Sequence, residues 1–354
     1  MSCLVCGDVI MNFEGILNSI ELPGTLRPDE KDKRFAPIGE YLKQYMPTDL
    51  FRYRRCTERG FSAFDQDQMW MTKASKMNDG FDTRLFFDRE SIYHFRDELC
   101  STKFTEFLTG YYTPDQFPPD NIKDFPGLSE IFRYFSALSE EQKRALASQA
   151  QNIISQDITN VIEVLSSATQ ETIKIACLSE SITSPLMWGQ YAENESGFAL
   201  SYDCRDYMCM PVIYSRTRFE VPTDFICFLL IKRLAMIALS TAGYSVRFPE
   251  VATSMINRIS CPDTLVPVRT ALYKSEEWAT EKEWRLFYQP DPNIPNSDHS
   301  FINLKPTALY LGRKISHIHE KILCGIASEK SIPVFKMALN DKSPSYELVA
   351  TKVN

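Results

Sequence analysis

The stretch that decides the fold runs from Thr172 to Asp203: TIKIACLSE (172–180), SPLMWGQYAEN (184–194) and GFALSYD (197–203). The first piece is rich in β-formers. The second opens on Ser184-Pro185, which suits a helix start because proline lacks the N–H that the first turn leaves unpaired. The third again reads as a strand, so the stretch predicts strand, short helix, strand. The same unit is legible upstream. LFRYR (50–54) alternates, TERGFSAFDQD (57–67) has Thr57 at a capping position with Phe61 and Phe64 on one helical face, and QMWMTK (68–73) alternates again. Downstream, EWRLFYQ (283–289), TALYLGRKIS (307–316), IPVFKMAL (332–339) and SYELVATKV (345–353) predict further strands, with a short helix near His317 to Cys324.

These elements predict an α+β protein with a split, mainly antiparallel sheet and flanking helices. A helical insertion is expected at about 88–170, where LSEEQKRALASQAQNIISQDITNVIEVL (138–165) has helical periodicity behind a Ser139-to-Gln142 capping pattern. Residues 1–49, with the turn-rich, charged ELPGTLRPDEKDKR (21–34), read as an N-terminal arm, and 50–354 as the domain.

With 354 residues, 44% hydrophobic and 24% charged, the chain buries a real core. A net charge of -7 argues against a sequence-independent grip on nucleic acid as the main business, leaving room only for a local patch such as Arg52 to Arg55. The first twenty residues carry no basic residue and include Asp8 and Glu14, which is unlike a secretory signal. The longest apolar run, Phe225 to Leu239, is broken by Lys232 and Arg233 and is too short to span a bilayer. A cytoplasmic protein with no membrane partner is expected. Ten cysteines are scattered, and Cys3 and Cys6 form half a zinc knuckle without a second pair, so no metal is expected. Histidine is scarce, and no phosphate-loop, dinucleotide-fold or serine-hydrolase motif occurs.

Four places carry chemistry. In FRYRR (51–55), Phe51, Tyr53 and Arg55 face one side of a strand and Arg52 and Arg54 the other. The plain reading is an exposed edge; the functional one is an arginine holding phosphate or carboxylate in a bidentate fork. Asn78-Asp79-Gly80 signals a turn, with Asp79 and Asp82 placed to brace those arginines. Ser179 ends a strand, and Trp188 and Tyr191 share a helical face as a core pair or as a wall for a planar ring. In EEWATEKEWR (276–285), Glu281 and Glu283 share a face if both lie in a strand. Paired carboxylates there position a ribose hydroxyl and stabilise an oxocarbenium ion, or else form a charged strand end with Arg285 as partner.

Taken in order, Tyr53-Arg54, Asn78-Asp79-Gly80-Phe81-Asp82, Cys177-Leu178-Ser179, Met187-Trp188-Gly189-Gln190-Tyr191-Ala192, Gly197-Phe198, Trp278 with Glu281 to Arg285, and Leu311 to Ser316 resemble the large microbial family catalogued as domain of unknown function 2971. Gly80 stands where that family usually has proline, and the resemblance runs from roughly Leu50 to the C-terminus. More weakly, an Arg strand, a Ser strand and a Glu-x-Glu strand in that order resemble the ADP-ribosyltransferases. That resemblance implies NAD as substrate, with Arg54 beside Tyr53 on the pyrophosphate and Ser179 bracing the nicotinamide-ribose pocket. It also implies Tyr191 or Trp188 stacked on nicotinamide, Glu283 as the catalytic acid and Glu281 positioning an unknown macromolecular acceptor. Such a class suits a bacterial effector or a toxin of antiviral defence. The alternatives are a non-catalytic sensor for a nucleotide or protein partner, and a nuclease, for which the sequence offers no metal-ligand set.

Overall fold

Leu50–Arg54 (β1) lies near the middle of the main sheet because its apolar start can be covered on both faces while Arg52 finds main-chain partners at its edge. The structure, a computed structural model, describes residues 12–99, 139–145, 148, 158–241, 250, 253–254, 260–288 and 301–353. The strands after β1 are β2 (Gln68–Trp70), β3 (Thr72–Lys73), β4 (Lys174–Ser179), β5 (Phe198–Tyr202), β6 (Cys209–Pro211), β7 (Ile213–Ser215) and β8 (Tyr273–Ser275). Then follow β9 (Glu283–Phe287), β10 (Phe301–Asn303), β11 (Ala308–Leu311), β12 (Val334–Leu339) and β13 (Leu348–Lys352).

The main sheet has the order β13-β12-β11-β5-β1-β4-β9-β6, with β3 added beside β4. All its pairs are antiparallel except β11 with β12. The fold is α+β, as its alternating strands and intervening helices predicted.

The sheet is split beside β1. Against β5 it pairs along its whole length, from Leu50↔Tyr202 to Arg54↔Phe198, but it meets β4 only at Phe51↔Ser179. The first half of β4 pairs with β3 instead, through Ile175↔Thr72 and Lys174↔Lys73. Main-chain carbonyls at such a split need donors, and Arg52 supplies them. Its guanidinium donates to Cys177 O at 3.3 Å and to Trp70 O at 3.2 Å.

Alternation sorts the faces. Leu50, Ala176, Leu178, Phe198, Leu200, Trp284 and Leu286 enter the main core beneath the helices Glu58–Asp65 and His317–Glu329, which add Phe64, Leu323 and Ala327. Thr57 caps the first of these helices by accepting from Gly60 N, and Ser316 caps the second. On the other face Trp188, Ala199, Met337 and Leu348 form a smaller cluster under the helix Pro185–Tyr191.

The segment before Asp49, read from its sequence as an arm, contributes a buried face of its own. Phe13, Leu17 and Ile38, from the helices Phe13–Asn18 and Pro28–Tyr45, pack with Met210, Leu265 and Leu272. Arg269, 4% exposed, ties this segment down by pairing with Asp263 and donating to Leu17 O and Ile20 O. Within 88–170, residues Arg89–Leu99, 140–145 and Ile158–Thr172 are helical, and Ser139 and Gln142 exchange the two bonds of a capping box. Among the described residues no helix is long and apolar enough to cross a membrane.

Candidate functional site

The face of the sheet that carries Tyr53, Cys177, Ser179 and Glu283 opens into a cleft of about 290 Å³ beside the split. Its floor is β1 and β4. Its walls come from the turn after β3, with Lys76, Met77 and Asn78, and from Met187 and Tyr191 of the helix Pro185–Tyr191. Lys274, Glu281 and Glu283 close the far end.

Glu281 does not sit in a strand, so the shared face that Glu281 and Glu283 would have had in one strand does not arise. Glu281 ends a 3-10 turn, Glu276–Glu281, and Lys282 then takes the left-handed conformation (φ 45°) before β9 begins. The reversal at Lys282 nonetheless brings both carboxylates to one cation. Lys274 Nζ donates to Glu281 Oε2 at 2.6 Å and to Glu283 Oε2 at 2.9 Å, beneath the Trp278 ring centred 4.9 Å away. Two residues on, Arg285 points to the same face as Glu283. It donates from Nε to Glu283 Oε1 at 2.9 Å, and from both terminal nitrogens to Asp82 at 2.6 and 2.8 Å. Ala271 O takes a further bond from Arg285 at 2.5 Å.

These five charges lie at 0–7% exposure, where an unmatched ion is costly, so their mutual bonding fixes their geometry. Burial pushes the Glu283 pKa up, but Arg285 and then Lys274 outweigh it and hold the group down at about 2. The converse holds for Lys274: burial lowers it, while Glu283 and Glu281 carry it above its ordinary value.

Hydroxyls bind this cluster to the cleft wall. Tyr191 donates to Glu281 Oε1 at 2.5 Å and accepts from Asn78 Nδ2 at 3.1 Å. Burial, and next the bond to Glu281, raise the Tyr191 pKa, so it remains a neutral donor. Ser179 Oγ donates to Glu281 O at 2.6 Å and accepts from Ser181 N at 3.1 Å, so the serine sets the main chain that carries Glu281. Tyr53 in turn donates to Ser181 O at 2.5 Å. Burial and the neighbouring Glu283 raise the Cys177 pKa, which leaves a protonated thiol and no nucleophile.

Of the residues singled out by sequence, Tyr53, Ser179, Tyr191, Glu281 and Glu283 line the cleft. Arg54 and Trp188 lie elsewhere. Alternation turns Arg54 to the opposite face of β1, where its Nε and Nη2 are buried without a hydrogen-bond partner. Arg52, on that same face, is the arginine beside the split and reaches the cleft; burial and then the charge of Arg54 lower its pKa to about 10. Trp188 is 0% exposed, meets the Tyr53 ring edge-on at 5.2 Å and donates to Ile182 O at 2.7 Å. It supports Tyr53 from below and offers no face to a ligand.

Lys274 is the member of this cluster that sequence reasoning passed over. A lone lysine in the three-residue β8 gives no local sign that two acids seven and nine positions later close on it. Asp82 was read as a brace for the arginines of β1, and the structure gives it to Arg285 instead. Among the described residues no group of three histidine, cysteine or acidic side chains is placed to hold a metal, and Cys3 and Cys6 lie outside those residues. No family model, curated protein or solved structure matches the chain.

Proposed function

We propose that the cleft binds NAD and breaks its nicotinamide–ribose bond, passing ADP-ribose to an acceptor or to water, in a chain related to the domain of unknown function 2971 family. The observation that carries this reading is the convergence, beside one split, of Ser179, Tyr191, Glu281 and Glu283 from separate elements, with Ser179 and Glu283 directly paired across β4 and β9.

In this reading nicotinamide leaves with the electron pair of the C1′–N bond, and positive charge develops on the ribose. A preorganised carboxylate in a dry site stabilises such charge without reorganising. Glu281 is the acid with capacity for this: its oxygens take one bond each from Tyr191 and Lys274, whereas Glu283 takes three from Lys274 and Arg285. Glu283 then acts by fixing Lys274, and with it Glu281. The acceptor bonds to C1′ and loses its proton; water as acceptor gives hydrolysis. Lys76, on the turn after β3, takes the pyrophosphate role that the resemblance gave to Arg54, and Arg52, bonded to Cys177 O and Trp70 O, adds its charge from the floor. A chain that consumes NAD suits an effector or defence toxin inside a bacterial cell.

The test is incubation with NAD labelled in its adenylate half, with cell lysate, reading nicotinamide release and label transfer. Glu281→Gln is expected to lower either rate about 10²-fold or more. Rates that survive both Glu281→Gln and Glu283→Gln refute the assignment. A second reading, a non-catalytic nucleotide sensor, is favoured by the saturation of Glu283 by Lys274 and Arg285. It requires NAD binding by calorimetry with no release of nicotinamide.

A further inference from the structure

Two hollows outside the cleft share a wall. One, of about 410 Å³, lies between the segment Phe81–Phe87 and the helices Arg89–Leu99 and Ile158–Thr172. The other, of about 210 Å³, lies between Phe81 and the segments 215–219 and 273–275. Phe81, Arg84 and Arg218 belong to both.

The shared wall is built, not incidental. Val221 N donates to Phe86 O at 2.7 Å, a bridge that straps the 215–221 segment to the 81–87 segment, and Leu85 N donates to Ser166 Oγ at 3.0 Å. The Arg218 guanidinium lies over Phe81 and Phe86, 5.6 and 5.2 Å from their ring centres. Those rings are 68% and 43% exposed, unusual for phenylalanine. Arg218 donates to Arg84 O and Leu85 O, and among the described residues no carboxylate is bonded to it. The two hollows together are lined by Arg84, Arg89, Arg216, Arg218 and Lys274 against the acids Glu163 and Asp79; Arg84 pairs with Glu163 at 2.7 Å and Arg216 with Glu276 at 2.6 Å, both at exposed positions where a phosphate can compete. Burial and then the charge of Arg84 lower the Arg218 pKa, and Asp79 opposes them only in part.

We propose that this groove binds single-stranded nucleic acid, with successive bases in the two hollows and the phosphate between them on Arg84 and Arg218. Exposed aromatic faces alternating with arginines are the chemistry that an unpaired strand requires, since every base has a face to stack and every step a phosphate to neutralise. The first hollow offers Phe86 and Tyr93 to a base, the second Phe219 and Tyr273, and the shared guanidiniums lie between them. A duplex keeps its bases stacked inside and cannot enter. The net charge of -7 opposes indiscriminate binding to nucleic acid elsewhere on the surface and leaves this groove as the local exception. The inference does not depend on what the neighbouring cleft does.

The test is fluorescence anisotropy of the full chain with fluorescein-labelled oligo-dT and oligo-rU at low salt. Binding should weaken with salt, with a log–log slope of about -0.7 for each phosphate engaged. Arg218→Gln, Arg216→Ala and Phe81→Ala are each expected to weaken it about tenfold, while Lys342→Ala, in the exposed turn after β12, leaves it unchanged. Arg216 and Phe81 are exposed, so their variants fold whatever becomes of Arg218. Three results overturn the proposal: no binding at low salt, binding indifferent to Phe81→Ala and Arg216→Ala, or equal displacement by free ADP. The last would make the groove a pocket for a lone nucleotide.

Discussion

Glu283 gives the sharpest test of the buried cluster because its pKa links the cluster to stability. The group is 5% exposed, and Arg285 and Lys274 hold it at about 2 against an ordinary 4.5. A depression of that size corresponds to about 3 kcal/mol of folding stability at neutral pH. Because the folded pKa lies below the unfolded one, the contribution is fully present above about pH 4.5. It is lost as pH falls toward 2, where the unfolded chain takes up its proton first. Glu283→Gln removes the charge at every pH. The variant should therefore be about 3 kcal/mol less stable than the parent from pH 7 down to about 4.5, with the gap closing toward pH 2. Urea unfolding followed by fluorescence at half-unit pH steps measures both curves, and carboxylates common to the two proteins cancel in the difference. A gap that stays constant between pH 4.5 and 2.5 would show that Glu283 is not held by these cations in solution.

Four further substitutions probe the same structure. Arg285→Met strips Asp82 of its cation and Glu283 of one of its two inside the fold and should cost about 3–5 kcal/mol, more than Glu283→Gln, in the same urea titration. Tyr191→Phe leaves Glu281 Oε1 without its donor at the edge of the cleft and should cost about 1–2 kcal/mol without changing the fold by circular dichroism. Gly197→Ala places a Cβ 2.2 Å from Arg54 O, where β5 runs against β1, and should lower the melting temperature sharply. Gly189→Ala meets nothing within 4 Å in its helix and should raise stability by about 0.5–1 kcal/mol. Equal effects of the two alanines would refute the close approach at Gly197.

What the sequence made legible was local. Pro185 after Ser184, Thr57 before Glu58 and the alternation in LFRYR marked elements that form where they were read, because each signal acts within a turn or two of itself. Alternation also told that Arg52 and Arg54 share a face. It could not tell that Arg52 is the one beside a split, since the split depends on β3 displacing β1 from half of β4. Whether Glu281 shares the strand of Glu283 was open for a related reason: the period of two presumes continuous extended backbone, and Lys282 interrupts it with a positive φ. The ionic cluster was the least legible. Asp82, Lys274, Glu281, Glu283 and Arg285 come from three separated stretches, and the buried position of each is set by the others.

The placement of charge across the cleft carries the argument about ligand class one step further. Within the buried cluster, Asp82, Glu281 and Glu283 outnumber Lys274 and Arg285, so one negative charge is left over at the β9 end. Arg52 lies on the floor and Lys76 on the turn after β3. The cleft therefore presents both signs of charge over the span of one small cavity. An anion alone or a cation alone satisfies half of such a site. A ligand with a cationic ring at one end and phosphate at the other satisfies both, and the cation lies where Tyr191 and Glu281 already face each other. The neighbouring groove is lined by four arginines, of which Arg84 and Arg216 pair with Glu163 and Glu276 while Arg218 is held by main-chain carbonyls, and the proposed strand would bring its phosphate to that guanidinium. If both sites are occupied as proposed, exchanging their ligands should fail on charge alone: a polyphosphate lacking the cationic ring would leave the acidic end of the cleft unmatched, and a free pyridinium would find no seat among the arginines.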